Sequence, residues 1–166
     1  MISRTASAAL VATLLLAVPV SAQDALVTYK SISPDVALEL AQAALTECRK
    51  RGYQVAVAVT DRFGVTQVVL RDRFAGPHTV NTAIGKAWTA VTFRTNTTDL
   101  VGVTEPGMPQ AGLRALPGAV VLGGGLTVEA GGSTVGGVGV SGAPGGDADD
   151  ACAKAGVEAV RDKLEF

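Results

Sequence analysis

The chain is poor in the side chains that carry most metal, redox and nucleic-acid chemistry. Its 166 residues include one histidine, two cysteines and one tryptophan, and aromatic residues make up only 4 %. Two cysteines about a hundred positions apart, with a single imidazole, do not supply the four ligands of a zinc cluster. Charged residues are 17 % of the chain and the formal net charge is −1, and no run of Lys or Arg is long enough to grip a phosphate backbone. That excludes the basic footprint of a nucleic-acid binder and the polybasic grip on an anionic membrane. One histidine also leaves little room for a nucleophile–base pair. Ser141 lies in Gly139-Val140-Ser141-Gly142-Ala143, which misses the G-x-S-x-G nucleophile elbow at its last position.

What the sequence does have begins with an export pattern. Arg4 precedes an apolar run over residues 8–20, and Val20-Ser21-Ala22 offers small residues at −3 and −1. Residues 1–22 therefore read as a signal peptide cut before Gln23, the apolar run being too short for a comfortable membrane span. Cleavage leaves residues 23–166, one ordinary domain with thirteen basic and fifteen acidic side chains. The expected location is periplasmic or secreted.

Ser33-Pro34 opens a helix, hydroxyl at the N-cap and proline at the first turn, and Gly52 closes it. Leu38, Ala41 and Leu45 form an apolar stripe beside the small residues Ala37, Ala44 and Cys48. Residues 53–60 read as a strand apolar on both faces, hence central. Asp61-Arg62-Phe63-Gly64 turns the chain into a second strand over 65–70. Val80, Ile84, Ala87 and Val91 set a helix over 79–94, and Thr97 or Thr98 caps a short one after it. Residues 102–118 form a Gly/Pro-rich stretch, long for a compact domain and so a candidate functional loop. Strands over 119–122, 126–129 and 133–140, turned by Gly123-Gly124-Gly125 and Gly131-Gly132, precede a helix over 147–164. The element order favours an α+β domain built on one antiparallel sheet flanked by helices.

Several residues invite a chemical reading. Gly137-Val138-Gly139-Val140-Ser141-Gly142 fits G-x-G-x-x-G, but no βαβ unit remains after it, so the glycines are assigned to tight strand packing. His78 is a candidate iron ligand or proton carrier, against the plainer reading of an exposed loop residue. Arg71, Asp72, Arg73 and Lys86 form a polar group beside a loop, able to meet a carboxylate or to lie solvated. Cys48 and Cys152 each sit on a small-residue helix stripe; a bridge between close-packed helices and two buried thiols both fit.

Together, Val55 to Thr60 with Asp61-Arg62-Phe63-Gly64, Lys86-Ala87-Trp88-Thr89-Ala90, and Pro117-Gly118 through Gly123-Gly124-Gly125 to Gly136–Gly142, Gly146-Asp147 and Asp150 resemble the GlcG/HbpS-like family of small haem-binding and haem-degrading-type proteins. The resemblance implies a five-stranded antiparallel sheet packed by helices, a profilin-like layered domain, with a tendency to form homo-oligomers or rings. It also implies haem as a cofactor, with Thr97-Thr98-Asp99-Leu100 matching a segment where a hydroxyl lies near the ligand. His78, Thr97 or Met108 then stand as candidate ligands for iron. The His-rich stretches of some haem-handling members are missing.

Two expectations follow. In the first, an exported protein binds haem for uptake, sequestration or sensing, its propionates on Arg71, Arg73 and Lys86 and its ring against Trp88, Val91 and Phe93. In the second, the chain is a ring-forming scaffold or a module for small organic acids with no haem role. An enzyme ranks third: no catalytic constellation is visible, and haem breakdown enters only through the resemblance.

Overall fold

The computed structural model describes residues 26–165, so the signal-peptide pattern lies outside the described residues. The elements run α1 (Pro34–Lys50), β1 (Ala56–Asp61), β2 (Thr66–Arg71), α2 (Thr79–Phe93), α3 (Thr97–Val103), a 3₁₀ turn (Ala111–Ala115), β3 (Gly125–Ala130), β4 (Ser133–Ser141), α4 (Gly146–Ala159) and α5 (Arg161–Leu164). Among the described residues no helix is long and apolar enough to cross a membrane.

The sheet is antiparallel, in the order β2-β1-β4-β3, and has four strands rather than five. The expected strand over 119–122 does not form. Val120 N–H donates to Thr89 Oγ1 of α2 at 2.8 Å instead, and a Cβ on Gly85 would collide with the Val120 side chain. The backbone there is satisfied by a helix side chain, so it has no need of a ladder.

The two faces of the sheet differ in side-chain size, and this decides what each can accept. Val55, Val57 and Val59, with Val138 and Val140, pack into the core beneath α1 and α4. On the other face Ala56, Ala58 and Thr60 lie opposite Ser141, Gly139 and Gly137. That face is nearly bare of side chains, so α2 sits directly on the backbone. A Cβ on Gly139 would overlap Ala83 O and stand 2.7 Å from Ala87 N. The G-x-G-x-x-G segment is thus a strand shaved for a helix.

On the opposite face, α1 presents Ala37, Leu40, Ala41, Ala44 and Cys48 to the core, whereas Leu38 of the expected stripe is exposed. Small residues let α4 approach closely: a Cβ on Gly156 would stand 2.8 Å from Leu40 O. Cys48 and Cys152 are joined by a disulfide across this contact, with Cα atoms 5.4 Å apart. The last helix is broken at Val160, which is buried and non-helical, so α4 and α5 replace the single helix expected over 147–164.

Candidate functional site

Where β4 ends, α2 and α4 both begin, and a cleft of about 510 Å³ opens between their first turns. Its walls include Gly76, His78, Thr79, Thr82, Lys86, Leu122, Ser141, Gly145, Gly146 and Asp149. The volume falls within the range of about 300–1,000 Å³ common for small-ligand sites. The sequence builds this opening with residues lacking bulk. Gly123 and Gly146 meet so closely that a Cβ on Gly123 would lie 2.9 Å from Gly146 Cα. A Cβ on Gly124 would lie 2.6 Å from Val140 O.

Lys86 forms the floor. It projects from the sheet-facing side of α2, beside buried Ala83, Ala87 and Ala90, and is itself 2 % exposed. A lysine so buried needs a partner. Its Nζ donates to Val140 O and to Asp149 Oδ2, each at 2.8 Å. Asp149 Oδ1 accepts the Ala143 N–H at 3.0 Å, so both carboxylate oxygens are held by the protein. Burial pushes the Asp149 carboxyl above its ordinary value, against the pull of the Lys86 hydrogen bond and charge. Behind it, Asp150 accepts from Gly124 N–H at 2.6 Å and from Thr98 Oγ1 at 2.5 Å, tying the triple glycine to α3 and α4.

His78 stands at the mouth, at the N-cap position of α2, exposed and without a side-chain cap bond. Ser141 lies deeper. Its residue is 5 % exposed, and its hydroxyl has no hydrogen-bond partner among the described residues.

Of the residues singled out in the sequence, Lys86, His78 and Ser141 share this cleft, and the other ligand candidates lie elsewhere. Thr97 is buried on α3, its Oγ1 accepting the Gly125 N–H at 2.9 Å and donating to Gly125 O at 3.3 Å, so both its bonding roles are structural. The expected Thr97 or Thr98 cap of α3 is not made; Asn96 holds the N-cap position without a cap bond and accepts from Thr127 N–H instead. Met108 is exposed in the loop after α3. Arg71 donates to Ala75 O, and Arg73 lies 5.8 Å from the Phe74 ring centroid. Asp72 is buried and receives Arg49 Nε at 2.8 Å. Trp88 packs towards Gly64 and Gly118 and edge-on to Phe93, while Lys86 points to β4 and α4. The expected ring-and-propionate arrangement over Trp88, Val91, Phe93, Arg71, Arg73 and Lys86 is therefore not assembled.

Asp149 was missed in the sequence reading, although a signal existed. A lone lysine on the alanine face of a helix requires a buried anion, and the Asp-rich start of the last helix was the nearest supply of one.

The family described as "Haem degrading protein HbpS-like" matches residues 32–158, the span that contains the sheet, both cleft helices and the disulfide. The chain belongs to the HbpS-like family. Within that family's range of relatives, the structure of a double mutant of Streptomyces reticuli HbpS is 38 % identical, covers 86 % of this chain and 96 % of that one, and superposes with a TM-score of 0.77. A structure of PduOC in complex with haem is 30 % identical, covers 78 % of this chain and 94 % of that one, and has a TM-score of 0.73. The corrinoid adenosyltransferase PduO of Salmonella typhimurium is 36 % identical over 106 residues, 63 % of this chain. The match spans about a third (32 %) of that enzyme's length. This HbpS-like chain therefore shares its fold with haem-related small-ligand proteins.

Proposed function

We propose that this chain is an exported HbpS-like protein that binds haem, with the cleft between α2 and α4 as its site and His78 as the iron ligand. The observation that carries the reading is the His78 imidazole. It is exposed at the mouth of the cleft between α2 and α4, and neither ring nitrogen has a hydrogen-bond partner among the described residues. A free imidazole nitrogen is a group that would hold haem iron. Exposed Leu122 and half-buried Ala143 give the cleft an apolar wall beside its polar floor. Thr97 and Met108 are less suited because both lie outside the cleft, and the Thr97 hydroxyl is engaged with the Gly125 backbone.

When bound, haem supplies the coordination and redox chemistry of its iron, while the protein's residues orient it. His78 would hold the iron at the mouth, and the Lys86–Asp149 pair keeps the floor rigid and electrically balanced. Export is supported by the pattern over residues 1–22 and by the Cys48–Cys152 disulfide, a bond that persists in oxidising compartments. N-terminal sequencing of secreted material is expected to begin at Gln23.

The test is an absorption titration of the mature chain with hemin. The expected result is a saturable Soret shift at one haem per chain, weakened at least tenfold in His78→Ala. A titration no different from a non-specific albumin background would overturn the haem reading.

A further inference from the structure

The deep end of the cleft has its own chemistry, distinct from the imidazole at the mouth. Ser141 is the last residue of β4 and lies opposite Ala56 on the α2-facing side of the sheet. It is 5 % exposed, lines the cleft, and keeps a hydroxyl that bonds to nothing among the described residues. No fully buried polar side-chain atom among the described residues lacks a partner, so this unbonded hydroxyl is reached from the cleft and is open to a ligand there.

Around it the cleft offers donors. Helices α2 and α4, of 15 and 14 residues, both start here, and neither has a side chain capping its first turn. The first amides of a helix lack intrahelical acceptors, and the macrodipole adds partial positive charge at that end. Free acceptors are correspondingly scarce. Asp149, the carboxylate in the wall, has one oxygen on Lys86 and the other on the Ala143 amide, so it presents no open site to a cation. The Lys86 and Asp149 charges cancel. The neighbouring carboxylates Asp147 and Asp150 do not line the cleft, the second being held by Gly124 N–H and Thr98 Oγ1. The groups that face a ligand are therefore two helix ends and one hydroxyl. That suits a monoanion better than a doubly charged phosphate.

We infer that the inner cleft is a carboxylate-binding subsite, with the Ser141 hydroxyl and the uncapped first turns of α2 and α4 as its donors. The inference rests on the reading of this cleft as the ligand site. The carboxylate comes either from a free small monocarboxylic acid or from a propionate arm of haem held at His78. Ser141, the hydroxyl that looked like a failed nucleophile in the sequence, is a ligand-positioning residue.

The experiment is a pair of titrations on the full mature chain and on Ser141→Ala, which deletes one oxygen beside Ala56 and keeps the fold; an unchanged unfolding midpoint verifies this. Amide chemical shifts are followed with sodium propionate, and Soret absorption is followed with hemin and with hemin dimethyl ester. Saturable shifts at Thr79, Gly145 and Gly146 with propionate, weakened about tenfold in Ser141→Ala, support the subsite with a free acid as its occupant. No propionate binding, but hemin favoured over its dimethyl ester in the wild type and not in Ser141→Ala, supports the subsite with the haem arm as its occupant. Equal binding of hemin and its ester in both proteins, with no propionate response, overturns the subsite and leaves the haem reading standing. A propionate response that Ser141→Ala leaves intact also overturns it. A Ser141-dependent propionate response without any hemin binding sustains the subsite and removes haem. Silence in every titration removes both.

Discussion

Lys86 Nζ and Asp149 Oδ2 lie 2.8 Å apart with their side chains 3 % and 6 % exposed, joining the middle of α2 to the first turn of α4 beneath the cleft. The two residues are 63 positions apart in sequence, yet together they set the distance between the helices that frame the site. Removing one partner strands the other as a buried charge. Lys86→Met is therefore expected to cost about 3–5 kcal/mol of stability, read as a lowered urea midpoint. The double variant Lys86→Met with Asp149→Leu is expected to regain at least half of that loss. A single variant as stable as the wild type would show that the pair is not buried in solution.

The same carboxyl carries a pH signature. Desolvation holds Asp149 above its ordinary value of 3.8, the Lys86 hydrogen bond and charge opposing it. A carboxyl with a raised folded pKa binds its proton more tightly in the folded chain. Its contribution to stability is complete below the unfolded value and is lost as pH rises through the folded one. The unfolding free energy of the wild type minus that of Asp149→Asn is expected to fall as pH rises above about 4. A flat or rising difference would contradict the assignment.

Glycine substitutions separate packing from flexibility. Gly139→Ala places a methyl against the backbone of Ala83 and Ala87, which cannot swing aside. Overpacking of this kind costs about 1–3 kcal/mol or more. Gly102 lies in α3 with nothing within 4 Å of its would-be Cβ. Gly102→Ala is expected to gain roughly 0.5–1 kcal/mol by restricting the unfolded chain and favouring helix. Thermal midpoints moving in opposite directions would confirm that the bare sheet face seats α2.

The disulfide closes a loop spanning 104 positions between α1 and α4. On the chain-entropy account its loss costs about 4–5 kcal/mol. Denaturant midpoints of Cys48→Ala/Cys152→Ala are expected to match those of the wild type under reductant, and both to fall well below the oxidised protein.

Most of the fold was legible because its signals are local. The Ser33-Pro34 start of α1, the valine and alanine alternation of β1 and the glycine turns each announce an element within a few residues. Residues 119–122 misled because their apolar, β-prone composition is satisfied by α2 rather than by a strand, a tertiary preference that no window of sequence contains. Part of the site was legible by residue type: His78, Lys86 and Ser141 were singled out, and they share the cleft. Their partners were not. Asp149 becomes visible only when α4 is laid against α2, and Ser141 matters only because the fold leaves its hydroxyl unpaired on the cleft wall. The cationic group of Arg71, Arg73 and Lys86 was misleading for the converse reason, since nearness in sequence did not bring these side chains to one place.

The most direct measurement of the central claim is amide NMR of the isotope-labelled chain during hemin addition, since ferric iron broadens nearby resonances. Broadening that saturates at one equivalent and centres on residues 76–82 and 141–149, absent in His78→Ala, is the result expected for haem held at this cleft. Broadening centred on the opposite end of the molecule, around Glu129, Lys154 and Arg161, or spread without saturation over the surface, would contradict it.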